Sequence, residues 1–196
     1  MELDYDVYKD EIIVIRFDSE MLKGFTGYDK DNPDEYFKAH PRAKRPPLEN
    51  LFKKKRLGMI PSINFFMMST NRMMMGDWEK ALKQYSEYCM QQQNIKHDYI
   101  SECIIVAIQF KDTKGKADVN NIYTKPFIDA MVERELIQED NYTIVRMHQE
   151  YIVVDKNDPH SEIRIYPIIE GVYDFDFVLD MVTYEIKELE RKYSEG

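Results

Sequence analysis

The segment Glu102–Phe110, ECIIVAIQF, is almost continuously apolar. A strand reads this way when helices cover both sides of its sheet, so this one is expected at a sheet centre. At nine residues it falls far short of the roughly 20 needed to cross a bilayer, and no other run comes closer. The rest of the fold has to be arranged around it.

Glu11–Phe17, EIIVIRF, is rich in β-branched residues and reads as a first strand. Asp77 suits the N-cap of a helix running to about Gln93. Trp78, Ala81, Leu82, Tyr85, Tyr88 and Cys89 form its apolar stripe, with Trp78 placed in the core. After the polar connection Lys111–Lys116, a helix capped by Asn120 or Asn121 turns Tyr123, Phe127, Ala130 and Met131 inward. Pro126 limits or kinks it.

Tyr142–Val154 and Glu162–Ile168 read as strands, and the turn-like DKNDPH between them suggests a hairpin. A last helix spans about 174–194. Phe175, Val178, Val182, Ile186 and Leu189 line one face, with acids early and Lys187, Arg191 and Lys192 late. This order predicts a mixed α+β single domain over 1–196, with a small mixed sheet packed by helices.

Residues 18–60 lack a long regular period and contain Gly24, Gly27, Pro33, Pro41, Pro46 and Pro47. They read as an insertion with a short helix near Leu48–Lys54. Pro61-Ser62-Ile63-Asn64 then restarts ordered structure. The methionines at 67–68 and 73–75 suit gap-filling in a core or an interface.

With 43% hydrophobic and 13% aromatic residues, the 196-residue chain fits a globular protein. Its N-terminus lacks a signal peptide's basic-then-apolar pattern, and Cys89 and Cys103 read as buried free thiols. A cytoplasmic location and no membrane partner are expected. Net charge is −9, but Lys38–Arg56 carries eight basic side chains against the single acid Glu49. Arg42, Lys44, Arg45, Lys53, Lys54, Lys55 and Arg56 can form an arm for phosphate backbones, or a solvated loop.

The chemistry concentrates in Asp118–Asp140, DVNNIYTKPFIDAMVERELIQED. Asp118, Asn120 and Asp140 are hard oxygen donors of the kind Mg²⁺ prefers, and Glu139 can replace or assist Asp140. Lys125 can stabilise charge on a phosphate, or pair with Asp129 or Asp118 on the surface. Asp118 and Asp140 converge only if the helix and the returning strand pack side by side. His40, His97, His148 and His160 are scattered, and no zinc, P-loop or Gly-x-Ser-x-Gly motif occurs.

In this order, Pro61-Ser62-Ile63-Asn64, Asp118-Val119-Asn120-Asn121, Lys125-Pro126-Phe127-Ile128-Asp129-Ala130-Met131 and Glu139-Asp140 resemble the motifs of RusA-type Holliday junction resolvases. These are small phage-associated endonucleases of DNA recombination and repair. The resemblance runs from about Glu11 to Ile168 and implies an intertwined homodimer acting on branched or duplex DNA with Mg²⁺, or Mn²⁺. Asp118 and Asp140 take the positions of two family metal ligands, and Lys125 that of the lysine if one residue is inserted after Asn121. Asn120 stands where the family has its second aspartate, and the acidic net charge also departs from the family.

Three readings follow. The first is a Mg²⁺-dependent, structure-selective endonuclease. The second is a resolvase-like protein that no longer cuts and binds DNA or a protein, as a regulatory or inhibitory module. The third is an acidic interaction protein.

Overall fold

The structure is a computed structural model that describes residues 5–27, 32–44, 60–61, 72–96, 99–112 and 122–194. In chain order these form α1 (Tyr5–Tyr8), a 3₁₀ turn (Lys9–Glu11), β1 (Ile13–Phe17), α2 (Ser19–Thr26), α3 (Pro33–Ala39) and α4 (Arg72–Gln92). Then come β2 (Cys103–Lys111), α5 (Lys125–Glu133), β3 (Val145–Val154), β4 (His160–Pro167) and α6 (Phe175–Ser194). The fold is mixed α+β in a single domain.

The four strands lie in the order β1-β4-β2-β3. β2 is antiparallel to β4 and parallel to β3, while β1 pairs antiparallel with β4. β2 is therefore central, and eight of its nine residues are buried. Its alternate side chains divide between two cores. Cys103, Ile105 and Ala107 join Ile15, Phe17, Leu82, Tyr85, Phe127 and Met131 beneath α4 and α5. Ile104, Val106, Ile108 and Phe110 join Tyr166, Val178, Met181 and Val182 beneath α6. Each fully buried aliphatic or Phe side chain contributes about 1.5–3 kcal/mol, and both of its faces have to be covered to collect it.

β3 and β4 do not form the expected hairpin, because β2 lies between them. Strands two places apart are about 10 Å distant, a gap the five linking residues span easily. Asp155 makes the crossing. Its N–H donates to the Lys111 carbonyl at the end of β2 (2.7 Å). Its side chain accepts from the N–H groups of Asn157 (3.0 Å) and Asp158 (3.2 Å), which bends the chain over the strand end.

The described part of residues 18–60 is more regular than its glycines and prolines suggest. The Asp18 carboxylate accepts from Met21 N–H (2.9 Å) and caps α2, which Gly27 ends at φ +65°. Met21, Leu22 and Phe25 of α2 pack against the α4 side of the core. α3 follows with Pro33 in its first turn. The helix expected near Leu48–Lys54 lies outside the described residues.

α4 begins at Arg72, so Asp77 falls within the helix and does not cap it. Leu82, Tyr85 and Cys89 are buried, while Trp78 is only half-buried at the core edge. α6 matches its predicted span, with Asp174 accepting from Phe177 N–H at its start (2.9 Å). Burial pushes both Cys89 and Cys103 up to about 12, so they are inert free thiols.

Candidate active site

α5 starts later than its sequence suggests. Thr124 occupies the N-cap position in place of Asn120 or Asn121, and Pro126 sits in the first turn, where its missing N–H costs nothing and no kink follows. Phe127, Ala130 and Met131 are buried under the sheet, which turns Lys125 and Asp129 outward on one face. Their ion pair is 3.1 Å long.

The end of α5 brings Asp140 back to Lys125. Glu135 adopts φ +57°, its N–H donates to the Val132 carbonyl (3.0 Å), and Leu136 N–H donates to the Met131 carbonyl (2.9 Å). The chain then pairs with Ile100: Ile100 N–H donates to the Leu136 carbonyl (3.1 Å), and Gln138 N–H donates to the Ile100 carbonyl (3.2 Å). That pairing anchors the 139–144 turn beside the helix, and Asp140 Oδ2 comes within 3.6 Å of Lys125 Nζ. Asp129 first, then Asp140, raises the Lys125 pKa and keeps the ammonium charged. All three side chains remain open to solvent. The pairs are therefore worth less than about 1 kcal/mol to the fold.

The start of α5 is held at three points. Ile122 N–H donates to Glu150 Oε2 (3.1 Å), Tyr123 N–H donates to the Pro61 carbonyl (2.7 Å), and the Tyr123 hydroxyl donates to Glu79 on α4. Burial, then Glu79, holds the Tyr123 phenol well above its ordinary pKa, so it stays a donor. Gln109 Nε2 donates to the Ile60 carbonyl (2.9 Å), so Ile60-Pro61 is tied both to β2 and to this entry.

Glu150 pairs across the sheet with Ala107 and His148 with Ile105, which places both on the α5 side. The His148 side chain is exposed on that face, yet partial desolvation lowers its pKa and Glu150 opposes that. Neither Glu150 nor Glu79 stood out in the sequence. The signal for Glu150 was its place in alternate register on a strand, which shows only once β3 is paired.

Of the expected site residues, Lys125 and Asp140 are placed together with Asp129, and Glu139 precedes Asp140 in the same turn. Glu139 is exposed and accepts from the Asn141 amide. Asp118 and Asn120 lie outside the described residues, as do Ser62, Ile63 and Asn64. Of the basic arm, Arg42 and Lys44 are described and exposed, while Arg45 and Lys53, Lys54, Lys55 and Arg56 lie outside. Among the described residues no three His, Cys, Asp or Glu side chains are gathered as a metal site. No described helix is long and apolar enough to cross a membrane.

Compared with models of known protein families, with curated proteins and with solved structures, the chain has no match in any of the three.

Proposed function

We propose that this chain is a Mg²⁺-dependent, structure-selective DNA endonuclease of the RusA type, cutting phosphodiesters in branched DNA as a homodimer. The observation that supports it best is the approach of Lys125 to Asp140 (3.6 Å), two residues far apart in sequence that the fold of α5 and the following turn brings together. A cation beside an exposed carboxylate, just after Asp118 and Asn120 in the chain, suits recognition and cleavage of a phosphodiester.

Asp118, Asn120 and Asp140, with Glu139 assisting, are the hard oxygen donors that would hold the ion. Bound there, Mg²⁺ or Mn²⁺ would supply charge neutralisation and a more acidic water. Lys125 would exchange Asp129 for a phosphate oxygen at little cost, since exposed ion pairs are weak. The basic residues of the arm, Arg42 and Lys44 among them, would track the DNA backbone through salt-sensitive contacts.

A labelled four-way junction incubated at low salt with Mg²⁺ should be nicked, and Asp118→Asn should abolish nicking without altering the fold. Absence of product with either Mg²⁺ or Mn²⁺ rejects the enzyme.

One observation favours a second reading, a resolvase-like protein that binds without cutting. Lys125 already satisfies Asp140, and Asn120 brings no charge to the pair. Junction binding in both metals with no product selects that reading.

A further inference from the structure

Tyr142 is 85% exposed, the most exposed large hydrophobic side chain among the described residues. Tyrosine normally packs its ring and leaves only the hydroxyl wet. The ring also stands on a built support. Asn141 Oδ1 accepts from Thr143 N–H (2.9 Å), Thr143 Oγ1 (2.5 Å) and Ile144 N–H (3.3 Å), while the Asn141 carbonyl accepts from Val145 N–H (2.8 Å). Cys103 N–H donates to the Ile144 carbonyl (2.8 Å) and ties the turn to β2. An aromatic ring held out by a fixed turn loses little entropy when something stacks on it.

We propose that Tyr142 is a base-stacking residue that takes an unpaired nucleobase beside the candidate active site, so that the protein reads unstacked DNA. This rests on the endonuclease reading. Three features favour a base over a protein surface. Tyr142 is flanked in the chain by Asn141 and Thr143, with Asp140 next along, so the turn itself adds no apolar neighbour for a protein to bury. Asp140 lies in the same turn and reaches Lys125, which puts the turn that bears the ring next to a point suited to a phosphate. A second exposed ring, Tyr99, precedes Ile100, whose backbone pairs with the chain leading into that turn. Single-strand binders combine such rings with a charged track because every base has a stacking face.

The acids of the turn repel phosphate until a divalent ion neutralises them, so stacking at Tyr142 should need the ion. The test is anisotropy of a labelled four-way junction and of a blunt duplex of equal length, in Ca²⁺ and in EDTA. Tyr142→Ala and Tyr142→Trp are compared with the unaltered chain. Expected is about a tenfold loss of junction affinity for Tyr142→Ala in Ca²⁺, the size of one lost stacking contact. Duplex affinity should be unchanged, and Tyr142→Trp should bind the junction as well as the unaltered chain. A 2-aminopurine at the branch point should be quenched by the unaltered chain and not by Tyr142→Ala. Equal junction binding by Tyr142→Ala, or equal losses on junction and duplex, overturns the proposal while leaving the nuclease reading standing. Failure of the unaltered chain to bind either DNA overturns both.

Discussion

Lys125 Nζ lies between two carboxylates, 3.1 Å from Asp129 one helical turn ahead and 3.6 Å from Asp140 beyond the helix end. The first contact follows from helical spacing, and the second needs the tertiary fold. An ammonium so placed can stabilise the protein or wait for an anion, and its exposure argues for the latter.

Lys125→Met separates these roles. Because both pairs face solvent, urea unfolding should show a loss below about 1 kcal/mol. Junction cleavage should fall by about a hundredfold if the ammonium contacts the phosphate in the transition state. Unchanged cleavage would leave Lys125 as a surface ion pair only.

Asp155 carries the crossing between β3 and β4, and its carboxylate is buried with two backbone donors on it. Asp155→Ala leaves those N–H groups unpaired and should cost about 1–3 kcal/mol in denaturant unfolding. Asp155→Asn keeps one acceptor oxygen and should lose less. Equal losses would mean that the side chain does not hold the crossing.

His160 is buried, stacked on Phe110 with centroids 4.1 Å apart, and 3.1 Å from Glu162 Oε1. Burial lowers its pKa, but the Glu162 hydrogen bond and the Asp158 carbonyl raise it more, to a net value above 6.5. Burial acts to raise Glu162, and His160 and Arg164 outweigh it, to a net value below 4.5. A raised histidine stabilises fully below 6.5 and loses that contribution as pH rises through its folded value. A depressed carboxylate stabilises above 4.5 and loses its share as pH falls. The stabilisation from this pair should therefore be greatest between about 4.5 and 6.5. His160→Phe should remove the decline on the alkaline side of a melting-temperature profile, and a persistent slope would assign it elsewhere.

Glu135 holds φ +57°, a conformation that costs a residue with a side chain roughly 1 kcal/mol. Glu135→Gly should raise stability by about 0.5–1 kcal/mol, read as a higher denaturation midpoint at constant slope. A lower midpoint would show that the Glu135 side chain contributes more than its backbone costs.

The central strand and last helix were readable because their patterns follow from burial alone. Every residue from Cys103 to Phe110 is covered, and α6 shows one apolar stripe. α2 was hidden because Gly27 was read as a breaker; with Asp18 at the other end, the two are the stop and start signals of one short helix. The β3–β4 link was misread for a different reason. A turn signal reports that the chain reverses, not that the strands it joins are neighbours. At the site, Lys125 with Asp129 was legible from spacing. The return of Asp140 was conditional on packing. Glu150 was invisible because its partner is a backbone N–H, which no side-chain pattern records.

The strand order also sets the tempo of folding. Among the described strands, β1 pairs only with β4, the last of them in the chain, and β3 reaches the rest of the sheet only through β2. The one consecutive pair of neighbours, β2 and β3, is parallel and joined through α5, so none of the described strands can zip up from a local turn. The sheet has to close over long loops, which makes assembly slow and leaves apolar strands waiting uncovered on the ribosome. Until its flanking strands arrive, β2 is the described segment of the nascent chain most exposed to wrong pairing.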